Sequence, residues 1–112
     1  MSKAQRDKGR RGQTAAEHLL KDRDWIVDQI TAGIKREDIV ATDPNGKAYS
    51  VEVKNCLSIT TTHRHQAMRQ AKERGLSWML MSKIAGTTSW LIQQGDAAGI
   101  RIFVWSEKKR LL

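Results

Sequence analysis

Apolar and polar residues alternate from Tyr49 to Lys54, with Tyr49, Val51 and Val53 on one side and Ser50, Glu52 and Lys54 on the other. A period of two predicts a half-buried strand from which Glu52 and Lys54 project on the same face. Upstream, Asp38 leads into Ile39, Val40 and Ala41, a second β-type run, and Asp43, Pro44, Asn45 and Gly46 supply turn chemistry between the two. The pair predicts a hairpin whose acids face one cleft. An earlier run, Trp25, Ile26, Val27 and Ile30, predicts a first strand, and Thr31, Ala32 and Gly33 turn it toward Asp38.

Helical spacing appears twice. Ala15, Ala16, Leu19 and Leu20 predict an amphipathic helix from Gly12 or Gln13 to about Arg23. Ala67, Met68 and Ala71 give a modest apolar stripe to a second helix from His63, with Gly75 as its C-terminal stop. Ser77 to Ser82 is apolar throughout its interior, as expected of a strand covered on both faces after a βα crossover, and places Met79 and Met81 in the core. Ser89 to Gln93 and Ile100 to Trp105 predict further strands separated by turns at Gly86, Gly95 and Gly99. Trp90 and Trp105 are suited to sheet packing more than to stacking on bases.

Charge narrows the partners. The 112 residues carry 20 Lys and Arg against 12 Asp and Glu, a net +8, so anions are drawn to the chain and nucleic acid is the leading candidate. No apolar run approaches the roughly 20 residues of a membrane span, there is no long basic amphipathic helix, and no signal peptide is recognisable. A soluble intracellular protein without a membrane partner is expected. Cys56 is the single cysteine, which excludes an intramolecular disulfide and a cysteine-based zinc cage; it reads as a small residue closing the strand. Residues 1–12, with Lys3, Arg6, Lys8, Arg10 and Arg11 against Asp7, form a basic arm expected to be flexible, and residues 13–112 a single domain. The arm is either a solvated tail or a set of phosphate contacts.

The candidate chemistry lies in the hairpin. Two carboxylates converging on one point repel each other unless a cation or protons compensate, so Asp38 and Glu52 beside Lys54 suggest a hard divalent metal with oxygen ligands. Such an ion activates water for attack on a phosphodiester. Glu17 is either a third acid reaching this site or an exposed helix carboxylate beside Lys21. Lys35 and Arg36 are either phosphate ligands close to the site or a solvated pair. Arg64, Arg69, Lys72 and Arg74 give the second helix a basic face, able to track a DNA backbone or simply solvated. His63 and His65, two residues apart on a helix, point in different directions and do not form a ligand pair.

The order helix, three strands, helix, strand, with Asp opening the second strand and Glu-x-Lys in the third, resembles the PD-(D/E)xK nuclease superfamily. The pieces KGRRGQTAAEHLL, EDIVA and YSVEVKN look most like the small archaeal and phage type Holliday junction resolvases, over about Lys8 to Trp90. The resemblance implies an α/β, restriction-endonuclease-like core (α-β-β-β-α-β) with a mixed central sheet flanked by helices. It implies a Mg2+-dependent endonuclease acting on branched DNA as a homodimer, with Mn2+ able to substitute, located in the cytoplasm or on the nucleoid. By the same resemblance Asp38 and Glu52 match the metal ligands and Lys54 the lysine that orients water or steadies developing charge. Thr31 lies where such resolvases often place a catalytic hydroxyl, and Gln66 where related nucleases often have a polar site residue. The chain departs from the pattern at Gln13, where the resolvases have a Glu, and at Glu37, where they have a Pro before the acid. Either Glu17 takes over one turn further along, or two carboxylates and substrate oxygens suffice.

Overall fold

The computed structural model describes residues 3–29, 39–54 and 61–107, of which residues 3–11 and 29 are described in their backbone only. The predicted elements appear in the predicted order: α1 (Lys3–Lys21), β1 (Ile26–Gln29), β2 (Ile39–Thr42), β3 (Ala48–Lys54), α2 (Thr61–Arg74), β4 (Ser77–Lys83), β5 (Ser89–Asp96) and β6 (Gly99–Ser106). Among the described residues the strands form one six-stranded sheet in sequential order. β3 and β4 are parallel, joined by α2, and every other neighbouring pair is antiparallel.

α1 begins at Lys3 rather than at Gly12 or Gln13. Its first half is rich in Lys, Arg, Gln and Ala, which favour helix without needing a buried face, whereas apolar periodicity reports only the turns that pack. α1 stops at Lys21, earlier than about Arg23, because Asp24 takes a positive φ of 64°. The Trp25 amide then donates back to the Leu20 carbonyl and the Asp24 amide to that of Lys21, a Schellman closure with Asp in the position glycine usually fills. α2 ends in the same motif with the expected residue: Gly75 has φ 67°, and the Leu76 amide reaches the Ala71 carbonyl.

Two cores form, one on each face of the sheet. On one, Ala16, Leu19 and Leu20 of α1 pack with Trp25, Ile39, Ala41, Tyr49, Val51, Met79, Met81, Trp90 and Ile92. On the other, Ala67 and Ala71 of α2 meet Trp78 and Leu80, and alanines at these positions let the helix lie close to the strands. Met68, expected in that stripe, is exposed instead: Ala67 and Ala71 stand four apart on one line, and Met68 is rotated about 100° from Ala67. β4 is buried on both faces, as its unbroken apolar run predicts. Gly95, expected in a turn, lies inside β5 opposite Trp78: the indole rests against it, and a Cβ there would overlap the ring. α2 packs on β3 and β4, and Ile100, Ile102 and Val104 of the edge strand β6 stay about half exposed on that side.

Candidate active site

The hairpin turn sets the geometry of β2 and β3. The Asp43 side chain accepts from the amides of Asn45 and Lys47 at 3.0 and 2.8 Å, the Gly46 amide closes on the Asp43 carbonyl at 2.9 Å, and Gly46 takes φ 90°. A turn followed by a left-handed glycine pins the strand register, here Ile39 opposite Val51 and Val40 opposite Ser50. With Tyr49 and Val51 in the α1 core, the pleat sends Ser50, Glu52 and Lys54 to the face that α2 covers.

Glu52 and Lys54 form an ion pair of 3.1 Å, their side chains 12% and 25% exposed. Pairing offsets part of the cost of taking two such side chains this far out of water. Their position follows from the crossover: the chain leaves β3 at Lys54, and α2 runs back so that its first turn lies toward the end of β3 that bears the pair. Side-chain contacts agree with this direction. Arg74, in the last turn, donates from Nη1 to Ser50 Oγ at 2.7 Å, whereas Arg64, in the first turn, donates from Nε to Gln93 Oε1 at 3.2 Å. Gln93 is level with Glu52, since Glu52 pairs with Leu80 and Leu80 with Gln93 across the sheet.

Of the other expected site residues, Gln66 is half-buried and Arg69 exposed, both on α2. Glu17 is half-buried on α1, the helix that packs on the face opposite to the one bearing Glu52 and Lys54. Lys8, Arg10 and Arg11 belong to the first half of α1, and their side chains lie outside the described residues. Asp38, Thr31, Lys35, Arg36 and Cys56 also lie outside them. Among the described residues no three His, Cys, Asp or Glu side chains are grouped to hold a metal, so the described part of the site contributes one carboxylate, a hard oxygen donor of the kind Mg2+ takes. His65 is exposed and His63 half-buried. Trp90 is fully buried in the α1 core, its Nε1 donating to Glu107 at 2.9 Å. Trp105 packs edge-on against Trp25 and carries the Arg23 guanidinium 4.8 Å above its ring, so both tryptophans belong to the packing of the sheet.

Gln93 was not among the residues expected at the site. The signal was present as Gln93 and Gln94 side by side in an otherwise apolar strand, because a buried amide calls for a partner. No local pattern names that partner. A second long-range contact, the ion pair of Lys47 with Asp96, joins the β2–β3 turn to the end of β5. The hydrogen bond between them raises the Lys47 pKa and lowers that of Asp96.

No family model matches the chain, and no curated protein gives a significant match. Among solved structures, Hjc, a Holliday junction resolvase from the archaeal hyperthermophile Archaeoglobus fulgidus, is similar with a TM-score of 0.55 and 15% identity, covering 83% of this chain and 85% of that one. At this identity the likeness is one of fold: the chain has an α/β, restriction-endonuclease-like architecture, a mixed sheet flanked by helices. None of the described helices is long and apolar enough to cross a membrane.

Proposed function

We propose that this chain is a Mg2+-dependent, structure-specific DNA endonuclease that hydrolyses phosphodiester bonds, and that it resolves Holliday junctions as a homodimer. The observation that carries the reading is the Glu52–Lys54 ion pair on the α2 face of β3, in a fold shared with a resolvase. In the sequence Asp38 immediately precedes Ile39, the first described residue of β2, the strand that pairs with β3. Asp38 and Glu52 would then hold the ion, with Mn2+ able to replace Mg2+. When bound, the metal supplies Lewis acidity toward water and the phosphate oxygens.

The chain's own residues do the rest. Lys54 pairs with Glu52; with that carboxylate holding a cation, the ammonium would be available to offset the charge that builds on the phosphate. Arg64 and Arg69 on α2, together with Lys8, Arg10, Arg11, Lys35 and Arg36, supply positive charge for the DNA backbone. Such contacts position the duplex without reading its sequence. Gln66 and Thr31 are proposed as polar groups near the reacting phosphate; Glu17 belongs to the helix on the opposite face of the sheet, so two carboxylates and substrate oxygens are proposed to complete the site. A junction presents two equivalent strands, which a twofold pair of sites would cut together.

The test is incubation of the purified protein with four-way junction, flap and linear duplex, each with Mg2+ or EDTA. Cleavage confined to the junction and abolished by EDTA is expected. Glu52→Gln and Asp38→Asn should each lower cleavage by about 10²-fold or more while leaving junction binding in place. Binding without cleavage of any substrate would make the chain a nuclease-like DNA-binding protein. Flap or linear duplex cut as well as the junction would make it a nuclease of another substrate class.

A further inference from the structure

We propose that Gln93 is a positioning residue that aims Arg64 at a DNA backbone phosphate beside Glu52, an inference that rests on the DNA-directed reading above. Gln93 is 3% exposed on β5, in a row with Leu80 and Glu52. An amide in such surroundings is unfavourable unless hydrogen-bonded, and its Oε1 receives the Arg64 Nε. Two steps of the ladder separate Gln93 from Glu52, about 10 Å across the sheet, so the arginine is tethered on the same face and at the same level as the proposed scissile site.

The choice of acceptor defines what the arginine can still bind. A guanidinium offers five donors in a planar fork. Gln93 engages the Nε, which leaves the edge formed by Nη1 and Nη2 for a two-pronged contact with phosphate oxygens. Gln93 is neutral, so the positive charge of Arg64 is held in place without being cancelled, and among the described residues no carboxylate pairs with it. The Lys47–Asp96 pair shows the opposite arrangement, in which a carboxylate neutralises the cation. Anchoring one edge also lowers the conformational freedom that the long side chain would lose on binding. Gln94, the next residue, holds Arg101 by a similar bond of 3.0 Å, but the pleat turns it to the α1 side of the sheet, away from Glu52.

Binding of the full chain to a four-way junction, measured from low to moderate salt, tests the assignment. Arg64→Ala should weaken affinity about tenfold and lower the salt slope by about one. Gln93→Met, similar in volume but with no oxygen to accept the Nε, should weaken binding several-fold in the parent chain and have no effect in the Arg64→Ala background. Gln93→Glu, which keeps an acceptor and adds a negative charge, should weaken binding although Arg64 stays tethered, and it serves as the second variant if Gln93→Met does not fold. An unchanged salt slope in Arg64→Ala would overturn the proposal, as would additive losses in the double variant or parental affinity in Gln93→Glu. The readout is binding, so a protein that binds but never cuts would end the nuclease reading while leaving this one standing.

Discussion

Single residues decide how the elements end and how the ends are tied. Asp24 holds a left-handed backbone at φ 64° to close α1, a conformation that costs an L-residue about 1–2 kcal/mol, Asp paying less than most. Asp24→Gly is therefore expected to stabilise the chain by about 0.5–1 kcal/mol, seen as a higher urea midpoint; a lower midpoint would refute it. Lys47 and Asp96 make a bridge whose effect has a defined pH window. The Lys47 hydrogen bond holds Asp96 below its ordinary 3.8, so this carboxylate contributes stability above that value and loses it as pH falls through the depressed folded pKa. The same bond raises Lys47 above its ordinary 10.5, so the ammonium contributes below that value and loses its contribution as pH rises through the raised one. Asp96→Asn should thus lower the urea midpoint at neutral pH, with the difference from the parent vanishing in strong acid and shrinking in strong base. A difference that persists unchanged at both extremes would show that the bridge is not its source.

At the scale of elements, the parallel β3–α2–β4 unit places the candidate site. α2 approaches the sheet through Ala67 and Ala71, and Trp78 fills the space beside them by lying across Gly95. Gly95→Ala should force the indole to move and cost about 1–3 kcal/mol by overpacking. Chemical denaturation of the variant measures the loss, and Gly95→Ala combined with Trp78→Leu should recover part of it; no loss in the single variant would show that the ring moves freely. The elements themselves were readable in advance. The unbroken run at Ser77–Ser82 reports burial on two faces, a local property of a strand, whereas alternation at Tyr49–Lys54 separated the two faces of β3 without giving their burial: α2 covers the polar face as well and leaves Ser50 2% exposed. The start of α1 was not readable, since Lys3–Arg11 adds no apolar stripe. Nor was its stop at Asp24, where glycine was the residue to look for.

At the scale of the molecule, the six described strands in sequential order, with one described helix on each face, leave Glu52 and Lys54 on one side and α1 on the other. The proposed resolvase activity needs two sites, so sedimentation equilibrium at micromolar concentration should return twice the 12.7 kDa chain mass. A monomer at every concentration, with the junction still cut, would remove the homodimer from the proposal. Net charge bears on the partner rather than on the oligomer: a formal +8 on 112 residues attracts polyanions.

The amino-acid order alone determined the type and order of the strands and helices (though not the ends of α1 and β5), the shared face of Glu52 and Lys54, the hairpin turn at Asp43–Gly46 and the burial of Met79, Met81 and Trp90. Each depends on neighbours a few residues apart and on periods of two or 3.6. Tertiary structure alone decided that Arg64 meets Gln93, that Lys47 meets Asp96, and that α1 with Glu17 packs on the face away from the ion pair. Those outcomes depend on strand order, register and the direction of the α2 crossover, which bring together residues tens of positions apart and leave no periodic trace in the chain.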